Sequence, residues 1–457
     1  MKKLMIGVSG IRGVVGETFT PELITRLGAA FGTYANGGRI IVGRDTRVSG
    51  EMVKHALLGG LISTGCRVID IGICPTPTLT IMINELKADG GVVISASHNP
   101  IEWNALKFYQ PTGVIMDEDE GREFLSIYYL GDFDYKAYNG IHDVTLDASA
   151  PDRHLARIYA VTDVAAIRAR RPKVVIDACN GAGAIITPRM LEYLGCEVVQ
   201  LHCTPDGMFP HNPEPVFQNL QDLAATVRAA KADLGFAQDA DADRIALVDG
   251  QGTIVGEEMS LALAVAHVLG RSKGPVVTNM STSRVIDDIC RSHGAPLVRT
   301  AVGEVHVSKK MLEIGAVIGG EGNGGVINPP IGTGRDSLAA MALILEMYAR
   351  SGRTLAAIVA GFPTYRIDKQ VVECPRGLTG LILRKIEERY TAAGAALDTT
   401  DGLKVNWPDS WVHIRRSNTE PVVRVIAEAP TLEAARRINA DVRDAMQVLI
   451  RGAGADA

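Results

Sequence analysis

The sequence predicts an α/β protein in four parts: three tandem related α/β domains with mixed or parallel sheets, then a smaller C-terminal α+β domain. Three observations predict it. The chain has 457 residues, and at about 100–200 residues per domain that length calls for several cores. One strand–helix–strand plan recurs three times along the chain. After Gly361 the pattern changes to two helical stretches and a set of short strand-like runs. Composition agrees, since 46% hydrophobic residues can fill several cores, while 5% aromatics and 48 glycines suit tight turns and close helix–sheet contact.

The first copy of the plan is RIIVGRDTRVSGEMVKHALLGGLISTGCRVIDIG, residues 39–72. The second is KVVIDACNGAGAIITPRMLEYLGCEVVQLH, residues 173–202, and the third is PVVTNMSTSRVIDDICRSHGAPLVRTAVG, residues 275–303. In each, a β-branched run meets a polar or Gly-rich loop and an amphipathic helix follows. Gly with Cys or Ala then ends the helix and a second β-branched run begins. Such units build parallel sheets with helices on the faces. The seams are the polar stretch 131–152 (GDFDYKAYNGIHDVTLDASAPD) and the Gly-rich turn 249–257 (DGQGTIVGE), which suits a hairpin. Domains are therefore expected over 1–150, 151–251, 252–364 and 365–457. In the last, helical patterns run near 377–394 and 431–451. DGLKVNW, SWVHIRR and VVRVIAEA read as an antiparallel sheet beneath them.

The formal charge is -5 and well mixed, with no Lys/Arg-rich block, so a nucleic-acid footprint is excluded. The N-terminal MKKLMIGVSGIRG starts with two lysines, but Ser9, Gly10 and Arg12 interrupt its apolar run before a secretory core forms. The strongest apolar stretch, Leu261 to Leu269, is too short to span a bilayer and contains His267, so no membrane association is expected. The seven cysteines form no CxxC pair, and Cys66, Cys179 and Cys196 sit in or beside apolar runs. They read as reduced core thiols of a cytoplasmic protein.

Four loops carry polar groups suited to chemistry. In GVVISASHNP (91–100), a buried strand delivers Ser97, His98 and Asn99 to a turn favoured by Asn99-Pro100. A serine hydroxyl needs activation. Neighbouring side chains on a turn are expected to diverge, so His98 makes no triad with Ser97, and the G-x-S-x-G elbow of a serine hydrolase is absent. Taken alone, SHNP fits a plain polar turn equally well. In GFAQDADADRIALVD (235–249), Asp239, Asp241 and Asp243 alternate with alanines. Carboxylates this close repel unless a cation sits among them. Hard oxygen donors select Mg²⁺ or Ca²⁺, and the missing Gly and terminal Glu exclude an EF-hand. Arg244 follows directly, placed to steady a phosphate beside the metal; the bland reading is an acidic surface turn.

In IRRSNTEP (414–421), Arg415, Ser417, Asn418 and Thr419 place a guanidinium fork, two hydroxyls and an amide in one turn, a set that suits a phosphate dianion or a local cap. In GGEGNGG (319–325), Glu321 and Asn323 stand alone among glycines, suiting either vicinal hydroxyls or a flexible turn. It lacks the spacing of a nucleotide loop. Near the start, SGIRG sets Arg12 among glycines. GRDTR (43–47) reads as a structural ion pair with capping, and Asp336-Ser337 as a helix N-cap.

In order, SGIRG, SASHNP, DADADR, GEGNGG and RRSNTEP resemble the α-D-phosphohexomutase family over essentially the whole chain. The resemblance implies four domains around a deep central cleft. It implies that Ser97 is a phosphoserine, and that Asp239, Asp241 and Asp243 hold one Mg²⁺ with the Ser97 oxygen. It places Arg12, His98, Lys107 and Arg244 at the reaction centre, Glu321 and Asn323 at the sugar hydroxyls, and Arg415, Ser417, Asn418 and Thr419 at the non-reacting phosphate. The implied reaction interconverts 6-phospho and 1-phospho hexoses through a sugar bisphosphate intermediate and activator.

Two features depart from the family pattern. Ala240 and Ala242 stand where glycines are common, so the loop is expected to fit without left-handed residues there. GEGNGG stands where many members have GE-x-S-G-H, so Asn323 replaces the serine and Gly325 the histidine.

In SGIRG, the compact length and the SNTEP loop the sequence resembles the phosphoglucosamine mutase branch of the family most closely, which implies glucosamine 6-phosphate as substrate. Glucose and mannose phosphates are the alternative. A phosphosugar phosphatase needs the same groups with water admitted; a sugar-phosphate sensor has no need of Ser97. The protein is expected to act as a monomer or homodimer on a small hexose phosphate.

Overall fold

The computed structural model describes residues 4–7, 10–375, 377–417 and 422–455. The first domain runs β1 (Met5–Gly7), β2 (Gly10–Val14), α1 (Pro21–Tyr34), β3 (Arg39–Arg44), α2 (Gly50–Ser63), β4 (Arg67–Ile73), α3 (Thr76–Leu86), β5 (Gly90–Ile94), β6 (Trp103–Tyr109), α4 (Glu118–Leu130) and β7 (Thr145–Leu146). The second runs α5 (Ala150–Val161), α6 (Val164–Arg170), β8 (Lys173–Asp177), α7 (Gly183–Tyr193), β9 (Glu197–Leu201), α8 (Gln221–Ala230), β10 (Leu234–Gln238), β11 (Ile245–Asp249) and β12 (Ile254–Gly256). The third runs α9 (Glu258–Leu269), β13 (Val276–Asn279), α10 (Val285–His293), β14 (Leu297–Thr300), α11 (Glu304–Ile314), β15 (Ile318–Glu321), β16 (Gly325–Ile327), α12 (Ser337–Ser351) and α13 (Leu355–Val359). The last comprises β17 (Arg366–Glu373), α14 (Thr379–Ala392), β18 (Ala396–Asp398), β19 (Leu403–Asn406), β20 (Trp411–Arg416), β21 (Val422–Ala429) and α15 (Leu432–Ala455).

The three repeated segments fold alike. β3 pairs in parallel with β4 and β5, and β6 returns antiparallel to β5. β8 pairs in parallel with β9 and β10, and β11 returns antiparallel to β10. β13 pairs in parallel with β14 and β15, and β16 returns antiparallel to β15. The loop from the third parallel strand to its antiparallel return is thus one structural position repeated three times. In the first domain it carries Ser97, in the second the three aspartates, and in the third Asn323, two residues after Glu321. Each lies at the carboxyl end of a strand buried on both faces, the edge at which open α/β sheets present ligands.

Strand alternation builds these layers. On β5, Val92 and Ile94 join a cluster with Phe31 and Leu57, while Val93 points the other way to Leu79 and Ile83. The second and third domains share one core, in which Phe236 and Val174 pack with Leu338 and Leu345 of α12. The fourth has its own core beneath α14 and α15, over an all-antiparallel sheet in the order β17-β21-β20-β19-β18. It docks on the third domain: Arg284 donates to the carbonyls of Trp407 and Pro408, and Lys404 donates to the carbonyl of Met280 at 2.7 Å. DGQGTIVGE forms the antiparallel β11–β12 hairpin. All seven cysteines are free thiols, and six are buried. No helix of the described residues is long and apolar enough to cross a membrane.

Candidate active site

The serine loop is fastened from beneath by a residue of the β3–α2 connection. Arg47, 1% exposed, donates from Nη1 to the carbonyls of Pro100 and Trp103 and from Nη2 to those of Ser97 and Asn99, at 2.7–3.1 Å. Its Nε pairs with Asp45, which also accepts from Ser95 Oγ at 2.7 Å. GRDTR therefore holds the ion pair its sequence suggested, and that pair shapes the loop. Ser97 sits in the left-handed region at φ 49° with its amide bonded to Ser95 Oγ. Its hydroxyl donates to Asp239 Oδ2 at 2.7 Å, joining two domains. The hydroxyl also lies 3.4 Å from His98 Nδ1, so the expectation that these side chains diverge is corrected: the left-handed turn at Ser97 leaves them in contact, with Asp239 the closer partner.

Asp239, Asp241 and Asp243 are fully buried, with one oxygen from each within 4.8 Å of the others. Asp239 Oδ1 accepts from the amides of Asp243 and Arg244. Asp241 Oδ2 accepts from Lys107 Nζ at 2.6 Å and Thr76 Oγ1 at 2.5 Å. Asp243 Oδ2 accepts from Arg335 Nη2 at 2.6 Å. Asp241 Oδ1 and Asp243 Oδ1 are buried without a hydrogen-bond partner. Burial, with Asp243 and Asp241 beside it, pushes the Asp239 carboxyl well above its ordinary range. Burial also disfavours charge on Asp241, but Lys107 outweighs it and holds that carboxyl low. Crowded carboxylates with two orphaned oxygens are what a hard divalent cation would satisfy, so the donor set fits a metal.

The loop does contain a left-handed residue. Ala242 adopts φ 54°, which corrects the expectation that alanine there keeps the loop out of that region. An αL alanine costs on the order of 1–2 kcal/mol; its methyl is buried in the shared core, and Ser337 Oγ donates to its carbonyl at 2.6 Å, which together hold the turn.

Above the aspartates lies a cavity of about 640 Å³ lined by residues of all four domains, including Arg12, Ser97, His98, Lys107, Arg244, Glu321, Asn323, Arg415 and Ser417. Every described residue singled out from the sequence as catalytic or substrate-binding reaches this one cavity; Asn418 and Thr419 lie outside the described residues. Arg12 donates to Asn99 Oδ1 at 3.0 Å. Arg244, burial, Arg12 and Lys107 together hold the His98 imidazole well below its ordinary value, hence neutral. Burial would discharge Lys107, but Asp241 and Asp243 raise it, so it remains an ammonium. Arg415 Nε lies 3.2 Å from Asp401.

Glu321 is 2% exposed and already engaged: Oε1 accepts from Asn279 and the Gly303 amide, and Oε2 from Arg335 Nη1 at 2.7 Å. Arg335 escaped the sequence reading. It bridges Asp243, Glu321 and Glu304, tying the second domain's loop to the third's. A Cβ at Gly325 would fall 2.2 Å from Arg335 Cδ, so this guanidinium stem occupies the space beside the glycine that replaces histidine. Thr76, Glu304 and Arg424, the last two also lining the cavity, were missed as well, and the ion pair read at Arg47 did not foretell its grip on the serine loop. For Arg335 the advance signal was its position immediately before the Asp336 N-cap, which the structure shows accepting from the Leu338 and Ala339 amides.

Comparison with known proteins matches this geometry to a family. Four family profiles align in order. The phosphoglucomutase/phosphomannomutase α/β/α domains I, II and III match residues 3–129, 152–252 and 257–365, and the C-terminal domain matches 372–445. The chain belongs to the phosphoglucomutase/phosphomannomutase family. A Thermococcus kodakarensis protein named "Phosphoglucomutase/phosphomannomutase" is 41% identical over 442 residues, covering 94% of this chain and 96% of its own. A Methanopyrus kandleri protein named "Probable phosphoglucosamine mutase" is 41% identical over 441 residues, covering 96% of both. The crystal structure of a phosphoglucomutase/phosphomannomutase family protein from Burkholderia thailandensis superposes with a TM-score of 0.86 at 30% identity, covering 96% of each chain. The three α/β domains, the C-terminal domain and the phosphohexomutase class of this isomerase are thereby established.

Proposed function

We propose that this phosphohexomutase interconverts glucosamine 6-phosphate and glucosamine 1-phosphate through phosphorylated Ser97. The observation that carries the reading is the 2.7 Å contact of Ser97 Oγ with a buried carboxylate cluster at the base of a cleft built by four domains. The phosphoryl group on Ser97 passes to a free substrate hydroxyl. The P–O bond to the sugar forms as that to Ser97 Oγ breaks, and the hydroxyl proton leaves to a cleft base. The resulting bisphosphate turns around, and its other phosphate returns to Ser97. Asp239, Asp241 and Asp243, with the Ser97 oxygen, would hold one Mg²⁺, which when bound supplies neutralisation of phosphoryl charge.

The chain's own residues do the rest. Arg47 fixes the serine loop from below. Arg12, Lys107 and Arg244 surround the transferring group with positive charge. Arg415, Ser417, Asn418 and Thr419 grip the non-reacting phosphate, while Glu321 and Asn323 meet the sugar. Support for an amino sugar comes from the third domain's wall. Glu304 and Glu321 both line the cavity, and the single guanidinium between them, Arg335, is shared with Asp243. Those two carboxylates are the groups on that wall that a 2-ammonium would meet. The same reading proposes domain limits near 1–150, 151–251, 252–364 and 365–457, with α5 opening the second domain at Ala150 and β12 kept with β11 in the second domain's sheet. A reducing cytoplasm suits the free thiols; burial pushes Cys66 up to about 11 and Cys196 to about 12.

The second reading, a phosphoglucomutase/phosphomannomutase, is favoured by the name of one of the two relatives at equal identity. Assay of glucosamine, glucose and mannose phosphates side by side, with bisphosphate activator and Mg²⁺, separates them. The amino sugar is expected to give the highest kcat/KM, and a higher value for either neutral sugar overturns that choice. Ser97→Ala is expected to abolish turnover without lowering Tm; an active variant removes the covalent route. Inorganic phosphate released in step with turnover marks a phosphatase instead.

A further inference from the structure

Away from the cleft, the second domain assembles another set of metal-binding donors. Asp177 ends β8, His202 directly follows β9, and His211 lies nine residues further on. One donor atom from each lies within 4.8 Å of the others. We propose that Asp177, His202 and His211 form a site for a divalent transition-metal ion of the zinc class, separate from the aspartate cluster at Ser97.

The distances suit such an ion. His202 Nδ1 lies 3.2 Å and His211 Nε2 3.0 Å from Asp177 Oδ2. Zinc–nitrogen and zinc–oxygen bonds of about 2.0–2.1 Å set neighbouring tetrahedral ligands about 3.3–3.4 Å apart, so side-chain shifts of a few tenths of an ångström would admit the ion. The proton arrangement points the same way. His211 Nδ1 lies 2.8 Å from the Asn212 carbonyl, which can only accept, so Nδ1 carries a proton. An imidazole that donates its far N–H to a backbone carbonyl is oriented as metal-bound histidines are.

Asp177 is oriented as well. Its Oδ1 accepts from the Cys179 amide at 2.9 Å, leaving Oδ2 to the two rings. Its side chain is fully buried, whereas those of His202 and His211 are 21% and 14% exposed, which leaves an entry path and room for water at an open position. Two imidazoles and one carboxylate favour zinc-class ions, while the all-oxygen cluster suits Mg²⁺, so the two sites differ in the ion they prefer. The site also has a structural reach. The connection between β8 and α7 that it braces receives a hydrogen bond from Thr46 Oγ1 at the Asn180 carbonyl. The Ala182 amide in turn donates to the Ala240 carbonyl within the aspartate loop, both bonds at 2.8 Å. A bound ion would therefore stiffen the seat of the catalytic loops.

The test uses the full-length protein, stripped with a chelator and then saturated with Mg²⁺ to fill the aspartate cluster. Co²⁺ is titrated as a spectroscopic probe, and Zn²⁺ is added to displace it. One Co²⁺ per chain with a visible d–d band is expected, displaced by Zn²⁺, and Zn²⁺ alone is expected to raise Tm over the Mg²⁺-saturated value. His211→Gln and His202→Asn should each weaken Co²⁺ binding about 100-fold. Asparagine is chosen because position 202 has φ 49°. Asp239→Asn should leave the band intact. Absence of a band, a band that survives both histidine variants, or a band lost in Asp239→Asn overturns the proposal. Where a variant fails to fold, the Tm response of the unaltered chain decides: a Zn²⁺-dependent rise supports the site, and none overturns it.

Discussion

At the scale of single residues, Arg47 does the most with the least advertisement. One guanidinium fork satisfies four carbonyls of the serine loop and neutralises a buried aspartate. A lysine keeps the charge but offers a point cation with three donors in place of a planar fork. Arg47→Lys is therefore expected to lower kcat by about 100-fold through displacement of Ser97. Mg²⁺-dependent stabilisation, which rests on the aspartates, should persist. Steady-state kinetics and thermal melts with and without Mg²⁺ check this; a wild-type kcat refutes it. Ala242 shows the complementary lesson: buried packing and a hydrogen bond from Ser337 impose a backbone region that alanine by itself avoids.

At the scale of elements, Glu346 on α12 joins the second domain to the third. It accepts from Arg271 Nη1 at 2.5 Å and from the amide of Asp163, the N-cap of α6, at 3.2 Å, with Arg350 also paired to it. Burial alone would raise its carboxyl. His267, whose Nε2 lies 3.7 Å away, the hydrogen bond from the Asp163 amide and the charge of Arg271 bring it from the ordinary 4.5 to about 2. The folded value lies below the unfolded one, so the stabilisation is complete above about pH 4.5 and is lost as pH falls through about 2. Glu346→Gln is expected to cost about 1–3 kcal/mol at neutral pH and to flatten the acid limb of the Tm–pH curve within that window. An unchanged slope there would remove the assignment.

At the scale of the whole molecule, the aspartate cluster is a joint. Its ligand atoms belong to the second domain, but Lys107 and Ser97 reach it from the first and Arg335 from the third. A cation there would couple three domains. Asp239 is the informative member, because its contacts are a hydroxyl and two amides, and no cation loses its partner when it is neutralised. Asp239→Asn is expected to match or exceed the wild-type Tm without metal, since one buried charge is gone. It should lose the stabilisation by Mg²⁺, about 2.7 kcal/mol at a hundredfold excess over Kd, together with activity. Scanning calorimetry across an Mg²⁺ series measures all of this, and a Mg²⁺-responsive variant would refute the cluster as the ion's seat.

The sequence by itself determined the local structure and the chemical inventory. The three strand–helix–strand units, the antiparallel C-terminal sheet, the Asp336 cap and the loops bearing Ser97, the aspartates, Glu321 and Arg415 follow from hydrophobic period, turn residues and side-chain type, which act over a few residues. β17 was not legible, because RIDKQVVE mixes charge into an edge strand whose far side faces solvent. Only the tertiary structure decided which loops meet. Thr76 and Asp241 lie 165 residues apart, Arg335 and Asp243 92, and His202 and Asp177 25. It also decided that the three key loops are one position of a repeated sheet. Such pairings depend on how packed layers are oriented around shared cores, and that orientation is a sum over many weak, non-local contacts that leaves no periodic mark on the chain.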